Sequence, residues 1–193
     1  MGKIKYITDI RKFFEKNKVV DINSLRKFIS GKKNNYVHLL ISNMIKKGEI
    51  KRITKGYYTL YEDYTLAVFC FKPSYLGLES ALSIHNLWEQ ETNPVIITTN
   101  SIRQGTRKVF GNNILLKRIT SKYFFGVEYV KEGDLYVPVS DIEKTFIDMV
   151  YFRKGMDKEL LSSFKKKIDA EKLKDYLRKY SKKISNMVLK KLS

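Results

Sequence analysis

Three stretches in the first third of the chain repeat apolar residues at helical spacing. The repeats predict helices over residues 4–14, 22–29 and 35–47, and either Asp21 or Asn23 can cap the second helix. One side of each predicted helix is apolar and is expected to face a shared core: Ile4, Ile7, Ile10, Phe13, Phe14, Leu25, Phe28, Ile29, Val37, Leu40, Ile41, Met44 and Ile45.

Two alternating runs follow the third helix. Residues 49–53 and 57–61 alternate apolar and polar positions, which predicts two strands. The connection between them ends in Gly56, at a position where a short hairpin loop needs a positive φ. The first third is therefore expected to form three helices followed by a β-hairpin.

The middle third mixes strand and helix patterns. A helix is predicted over residues 78–88, and a second one begins after the cap Ser140-Asp141 and runs to about residue 152. Short apolar or alternating runs predict strands over residues 66–71, 94–99, 114–119, 124–130 and 135–138. A basic loop containing glycine is expected over residues 101–111.

The last third has the pattern of two or three amphipathic helices. Asp157 and Asp169 are suitable caps. Three apolar stripes are expected to face inward: Leu160, Leu161, Phe164 and Ile168; Leu173, Tyr176, Leu177 and Tyr180; Ile184, Met187, Val188 and Leu192.

The net charge of +18 is divided unevenly among the 193 residues. Residues 1–62 carry 15 Lys and Arg against 5 Asp and Glu, residues 63–150 carry 9 against 10, and residues 151–193 carry 14 against 5. A general bias toward basic residues would affect all three parts alike. The concentration of positive charge in the first and last parts therefore indicates that both ends of the chain contact a polyanion.

Composition narrows the class of protein. A hydrophobic fraction of 43% with 13% aromatic residues predicts a folded chain. The sequence contains neither an apolar run of membrane-spanning length nor a signal peptide, so we expect a cytoplasmic protein without membrane contact. Its single cysteine, Cys70, excludes an internal disulfide and a thiolate metal cluster and is expected to be a buried structural thiol.

The second and third predicted helices have the layout of a helix-turn-helix, with Gly31 in the turn. The third helix opens on Lys and Asn, which can hydrogen-bond guanine, phosphate or adenine in the major groove, and the hairpin would be a wing that contacts phosphates. We therefore predict an α+β fold with a winged helix-turn-helix domain over residues 1–62. The predicted DNA-binding residues are Lys32, Lys33, Asn34, Asn35, Tyr36, His38, Ser42, Lys51, Arg52 and Lys55. The alternative is that the hairpin is only a solvated surface.

Residues 63–193 are predicted to form a mixed α/β domain, with a core over residues 63–152 and a basic helical segment over residues 153–193. The segment is either a solvated helical cap or a second polyanion surface, for RNA, a protein partner or the far side of a bent operator. Six residues are candidates for this second anion surface: Arg103, Arg107, Lys108, Lys165, Lys166 and Lys167.

The sequence contains few of the residue patterns that are typical of enzyme active sites. His38 and His85 lie in different predicted domains, and there is no HExxH, Walker or GxSxG motif. A metal-dependent nuclease could use Asp134, Asp141, Glu143 and Lys144, but Glu143 and Lys144 are adjacent rather than spaced for one strand face. We expect a non-enzymatic protein with no catalytic residue, metal or cofactor.

Five segments in order resemble AbiEi-type antitoxins and transcriptional regulators of type IV toxin–antitoxin, abortive-infection systems. The similarity runs over residues 21–151 in the segments INSLRKFIS, VHLLISNMIKKGEIKRITKGYYTL, YLGLESALSIHNLW, PVIITT and VPVSDIEKTFIDMVY. The resemblance implies a winged helix that binds the promoter of its own operon as double-stranded DNA. It also implies a C-terminal domain that counters a nucleotidyltransferase toxin without a stable complex. A protein-interaction module with solvated basic ends and no specific DNA binding is the alternative.

Overall fold

The computed structural model describes residues 3–29, 34–90, 93–133 and 135–192. The chain divides into two compact units, the first comprising Met1–Cys70 with Lys108–Asn112 and the second Phe71–Arg107 with Asn113–Ser193. Helices and two sheets are both present, so the fold is of the α+β class, as the sequence predicts.

The first unit begins with three helices and a small sheet. Its elements are α1 (Lys3–Lys16), β1 (Val20–Asp21), α2 (Ile22–Phe28), α3 (Asn34–Lys46), β2 (Lys51–Thr54) and β3 (Tyr57–Thr59). The three strands are antiparallel in the order β1-β3-β2. Between helices and sheet lies a core of Ile10, Phe14, Val20, Leu25, Ile29, Val37, Leu40, Ile41, Met44, Ile50 and Tyr58.

The predicted helices and hairpin of this unit are confirmed, with two differences in detail. Phe28 and Ile45 were expected to face the core but are 44% and 37% exposed, and Phe28 stacks on Phe13 with ring centroids 4.5 Å apart. The short strand β1 is absent from the prediction because two residues carry no readable alternation. Its strand character depends on pairing with β3.

The remaining elements begin with a 3-10 helix at Tyr64–Phe71. They continue as β4 (Ser74–Leu76), α4 (Glu79–Ile84), β5 (Val95–Thr98), β6 (Gly105–Val109), β7 (Asn112–Arg118), a 3-10 turn (Ser121–Tyr123), β8 (Val127–Glu132), β9 (Leu135–Ser140), α5 (Ile142–Tyr151), α6 (Lys158–Lys167), α7 (Ala170–Leu177) and α8 (Lys182–Leu192). Six strands form one mixed sheet in the order β6-β7-β5-β4-β9-β8.

Three predictions for the middle of the chain are wrong. Residues 66–71 were expected to form a strand but lie in the 3-10 helix, because a continuous apolar run has no period that separates a buried strand from a buried helix. The predicted loop 101–111 contains the strand β6. The predicted helix 78–88 is shorter, since α4 ends at Ile84 and is followed by His85 and Asn86.

The basic C-terminal helices are part of the core of the second unit. Leu160, Phe164, Leu173, Leu177 and Val188 are buried in the same cluster as residues of the sheet and of α5. The last predicted stripe is partly wrong, because Met187 is 39% exposed. The caps Asp157 and Asp169 are confirmed, since each side chain accepts hydrogen bonds from the first turn of its helix.

Two further observations concern single features. Cys70 is buried, as predicted for a structural thiol. Within the described ranges, no helix combines the length and apolar character needed to cross a bilayer.

Candidate nucleic-acid interface

A capping residue fixes the start of α2, and the apolar core of the first unit holds α2 and α3 in place. Asp21 caps α2, and its carboxylate accepts from the backbone N–H of Asn23 at 2.9 Å and of Ser24 at 3.0 Å. Burial raises the pKa of Asp21, but the hydrogen bond from the Ser24 hydroxyl, together with those from the two backbone N–H groups, outweighs it and leaves the pKa below the usual value. Since α2 and α3 bury one face each in the core of the first unit, their polar faces are fixed in orientation.

The outward face of α3 carries His38, Leu39 and Ser42, all exposed. Arg26 of α2 donates from Nη2 to His38 Nε2 at 2.9 Å and from Nη1 to Asn23 Oδ1 at 3.1 Å. Because a guanidinium can only donate, the imidazole accepts through Nε2 and keeps its Nδ1–H as a donor. Arg26 therefore links the two helices beside the exposed face of α3.

The hairpin presents two exposed cations. Arg52 and Lys55 are exposed, and Arg52 Nε donates to the carbonyl of Thr54 at 3.3 Å. Gly56 has φ +84°, the left-handed conformation that its place in the turn predicts. Lys51 is half-buried and forms an ion pair with Glu62, so its charge is compensated within the protein.

The remaining predicted DNA-binding residues divide into two groups. Lys32 and Lys33 lie outside the described residues, as do the side chains of Asn34 and Asn35, whose backbone begins α3. Tyr36 is half-buried and packs against the core of the first unit. The described part of the predicted site that faces solvent is therefore His38 and Ser42 on α3 with Arg52 and Lys55 on the hairpin.

The six candidates for a second anion surface lie on separate elements. Arg103 precedes β6, and Arg107 and Lys108 lie within it, where Arg107 Nη2 donates to the carbonyl of Arg103 at 2.7 Å. Lys165, Lys166 and Lys167 form the last turn of α6 and are exposed. Lys167 donates to the carbonyls of His85 and Asn86 at 2.8 and 3.2 Å, so this lysine tethers α6 to the end of α4.

The residues of the nuclease alternative form a buried charged cluster at α5. Asp134 lies outside the described residues. Asp141 caps α5 and also accepts from Tyr176 at 2.7 Å and Lys172 at 3.2 Å. Glu143 accepts from the backbone N–H of Asp169 and from Lys172, both at 2.8 Å. Each carboxylate thus bonds to protein donors that join α7 to α5.

Lys144 points into the interior of the second unit and forms an ion pair with Asp148, one turn further along α5. Both side chains are fully buried, and the hydroxyl of Tyr75 on β4 donates to Asp148 at 2.7 Å. Burial lowers the pKa of Lys144 and raises that of Asp148, while each charge partly offsets the shift of the other. This geometry leaves the amine of Lys144 enclosed by protein.

Sequence reasoning missed three features of these sites. Arg26 was not singled out, although a cation in the last turn of α2, directly before α3, is a readable signal. Leu39 was overlooked because its neighbour Leu40 carries the apolar stripe. Asp148 was assigned no role, and only its spacing of four residues from Lys144 could have indicated an ion pair.

Comparison with known proteins gives a likeness of fold. No family model matches the sequence, and no curated protein matches it. The fold is similar to the crystal structure of the RV2827C protein from Mycobacterium tuberculosis, with a TM-score of 0.59 at 12% sequence identity over 97% of this chain and 76% of that chain. At this identity the similarity concerns the fold alone.

Proposed function

We propose that this protein is a winged-helix transcriptional regulator of the AbiEi type that binds the promoter of its own operon. In this proposal α2 and α3 form the helix-turn-helix, α3 enters the major groove, and the β2–β3 hairpin is the wing. The observation that carries the proposal is the order helix, strand, helix, helix and hairpin, which presents a polar α3 face and two exposed hairpin cations in one unit.

Charge supports duplex DNA as the ligand. Residues 1–62 carry a net charge of +10, counted as 15 Lys and Arg less 5 Asp and Glu. Arg52 and Lys55 suit phosphate contacts, which fix the register of a protein on DNA without reading its sequence. His38 and Ser42 offer hydrogen-bonding groups to base edges, which is where sequence is read.

The second part of the proposal is an antitoxin role in the cytoplasm. It rests on the segments that resemble AbiEi proteins, and it expects a neighbouring gene for a nucleotidyltransferase toxin. Co-expression should then relieve the toxicity of that product without a stable complex on gel filtration. Persistent toxicity with both proteins present at equal levels would remove the antitoxin role and leave DNA binding to be judged separately.

The experiment for DNA binding is a fluorescence-anisotropy titration at several salt concentrations. The duplexes are the DNA upstream of the gene and a scrambled duplex of equal length and composition. With about 6 to 10 phosphate contacts, the affinity should fall on the order of a thousandfold between about 50 and 200 mM salt. Arg52→Ala/Lys55→Ala should weaken binding to both duplexes and reduce the slope of log K against log salt by about 2.

A matched control removes the same charge elsewhere in the first unit. Lys12→Ala/Lys16→Ala changes two exposed cations on α1 and should leave the salt slope unchanged. His38→Ala/Ser42→Ala should lower the preference for the upstream duplex while binding to the scrambled duplex persists. If the wild-type protein binds neither duplex, or if the α1 and hairpin variants behave alike, the winged-helix proposal fails. The protein-interaction alternative would then be favoured.

A further inference from the structure

The apolar positions of α3 define which side of this helix faces outward. Val37, Leu40, Ile41 and Met44 are all buried, and their spacing gives the direction of the core. Successive side chains are rotated by about 100° around the helix axis, so the mean direction of these four buried side chains can be worked out. Leu39 projects within about 30° of the opposite direction, which is the outward one. Leu39 therefore lies on the solvent face of α3, beside Ser42 and Asn43.

Leu39 is the most exposed of the large aliphatic residues described in the first unit, at 58%. A single exposed leucine is ordinary on a protein surface, so its position rather than its exposure is informative. Its neighbours on either side of the helix surface, Ser42 and Asn43 at three and four residues further on, are polar and exposed. An apolar side chain between hydrogen-bonding side chains matches the major-groove edge of DNA, where the C5-methyl of thymine is the apolar group among donors and acceptors.

We infer that Leu39 contacts a thymine methyl group and so makes the DNA site dependent on A·T pairs at that position. The inference rests on the proposed function, in which α3 enters the major groove. The exposed cations of the hairpin belong to the same unit as Leu39 and would bind DNA phosphates. The ligand opposite Leu39 would therefore be duplex DNA. Burying one methyl group against an aliphatic side chain should change the affinity by about threefold to fourfold.

The test compares two duplexes that differ only in this methyl group. The upstream DNA is prepared once with thymine and once with uracil in its place, and both are titrated by anisotropy with the wild-type protein and with Leu39→Ala. The wild-type protein should bind the thymine duplex more tightly by at least about threefold. With Leu39→Ala the two affinities should become equal within about 1.5-fold, which is below the change expected for one methyl contact.

Ile45→Ala is the matched control. Ile45 is also an exposed aliphatic residue of α3, but it projects about 90° from the outward direction, so its removal should leave the ratio of affinities as in the wild type. A wild-type protein that binds both duplexes equally, or a Leu39→Ala variant that keeps the ratio, would overturn the inference. Failure of the proposed function is distinct, because the wild-type protein would then bind neither duplex at low salt.

Discussion

The ion pair of Lys144 and Asp148 gives a sharp prediction about the stability of the second unit. Both side chains are fully buried, and the second oxygen of Asp148 accepts from the Tyr75 hydroxyl. Lys144→Met keeps an unbranched side chain, one atom shorter than lysine, and removes its charge. The buried carboxylate of Asp148 then loses its cation, and removing one partner of such a pair costs about 3–5 kcal/mol of unfolding free energy. This is a large part of the stability of a typical domain, about 5–15 kcal/mol.

This penalty should depend on pH. Burial already raises the pKa of Asp148 in the folded protein, and removal of Lys144 removes the charge that partly opposes this shift. A carboxyl whose folded pKa lies above its unfolded value gives stability at low pH and loses it as pH rises through the folded pKa. The difference between wild type and Lys144→Met should therefore be largest at neutral pH and should shrink toward acid pH.

Replacing all the polar side chains of this buried cluster together should restore the stability of the second unit. In Lys144→Met/Asp148→Leu no charge stays buried, and such replacements of ion pairs are often neutral or stabilising. The Tyr75 hydroxyl, however, has then lost its acceptor, which costs about 1–3 kcal/mol. Adding Tyr75→Phe removes that hydroxyl, so the triple variant is expected within about 2 kcal/mol of the wild type.

Urea unfolding followed by tryptophan fluorescence measures these differences. Trp88 is the single tryptophan of the chain and packs against the core of the second unit, so its emission reports on the unit that contains the ion pair. Equal m-values would show that unfolding exposes the same surface area in every variant, so that their free energies of unfolding can be compared directly. A cost below about 1 kcal/mol for Lys144→Met at neutral pH would refute the reasoning. A triple variant Lys144→Met/Asp148→Leu/Tyr75→Phe that is as unstable as Lys144→Met would also refute the reasoning.

Two further predictions concern the backbone. Gly126 and Gly133 both have positive φ, +63° and +55°, but a Cβ at Gly126 would lie 2.9 Å from Lys144 Cβ, whereas nothing lies within 4 Å at Gly133. Gly126→Ala should therefore cost about 1–3 kcal/mol more than Gly133→Ala in urea unfolding, and equal costs would contradict the close approach. Asp21→Ala should cost the first unit about 1 kcal/mol at neutral pH by circular dichroism, and Asp21→Asn a few tenths. Because the pKa of Asp21 is lowered, the advantage of aspartate over asparagine should be complete above the pKa of the unfolded chain and should decrease as pH falls through the folded pKa, and an advantage that stays constant on acidification would contradict this.

The helices of the first unit could be predicted because their information is local. Leu25, Val37 and Met44 were assigned to the core from spacing alone, and all three are buried. Residue type predicts either Asp21 or Asn23 as the cap of α2, and Asp21 accepts hydrogen bonds from the two backbone N–H groups expected of a cap. Spacing and capping act within one or two turns of helix, so a sequence window contains the whole interaction.

The candidate site could be predicted only in part. His38, Ser42, Arg52 and Lys55 are exposed as expected, since polar residues opposite an apolar stripe or in a turn face solvent. The ion pair between Lys51 and Glu62 was missed because it depends on how the chain continues after the hairpin. Residue type gives the charge of a side chain, but its partner is a property of the folded unit.

Local patterns in the sequence are sufficient to predict the α+β class, most helices with their caps, the hairpin with Gly56 at its turn, and the uneven division of charge. The strand order, the 3-10 helix at Tyr64–Phe71 and the burial of Lys144 with Asp148 are properties of the folded chain that no local pattern contains. The three-residue strand β4 exists because β5 and β9 pair with it from either side. Such features depend on contacts between residues far apart in the chain, and a local pattern contains only one side of each contact.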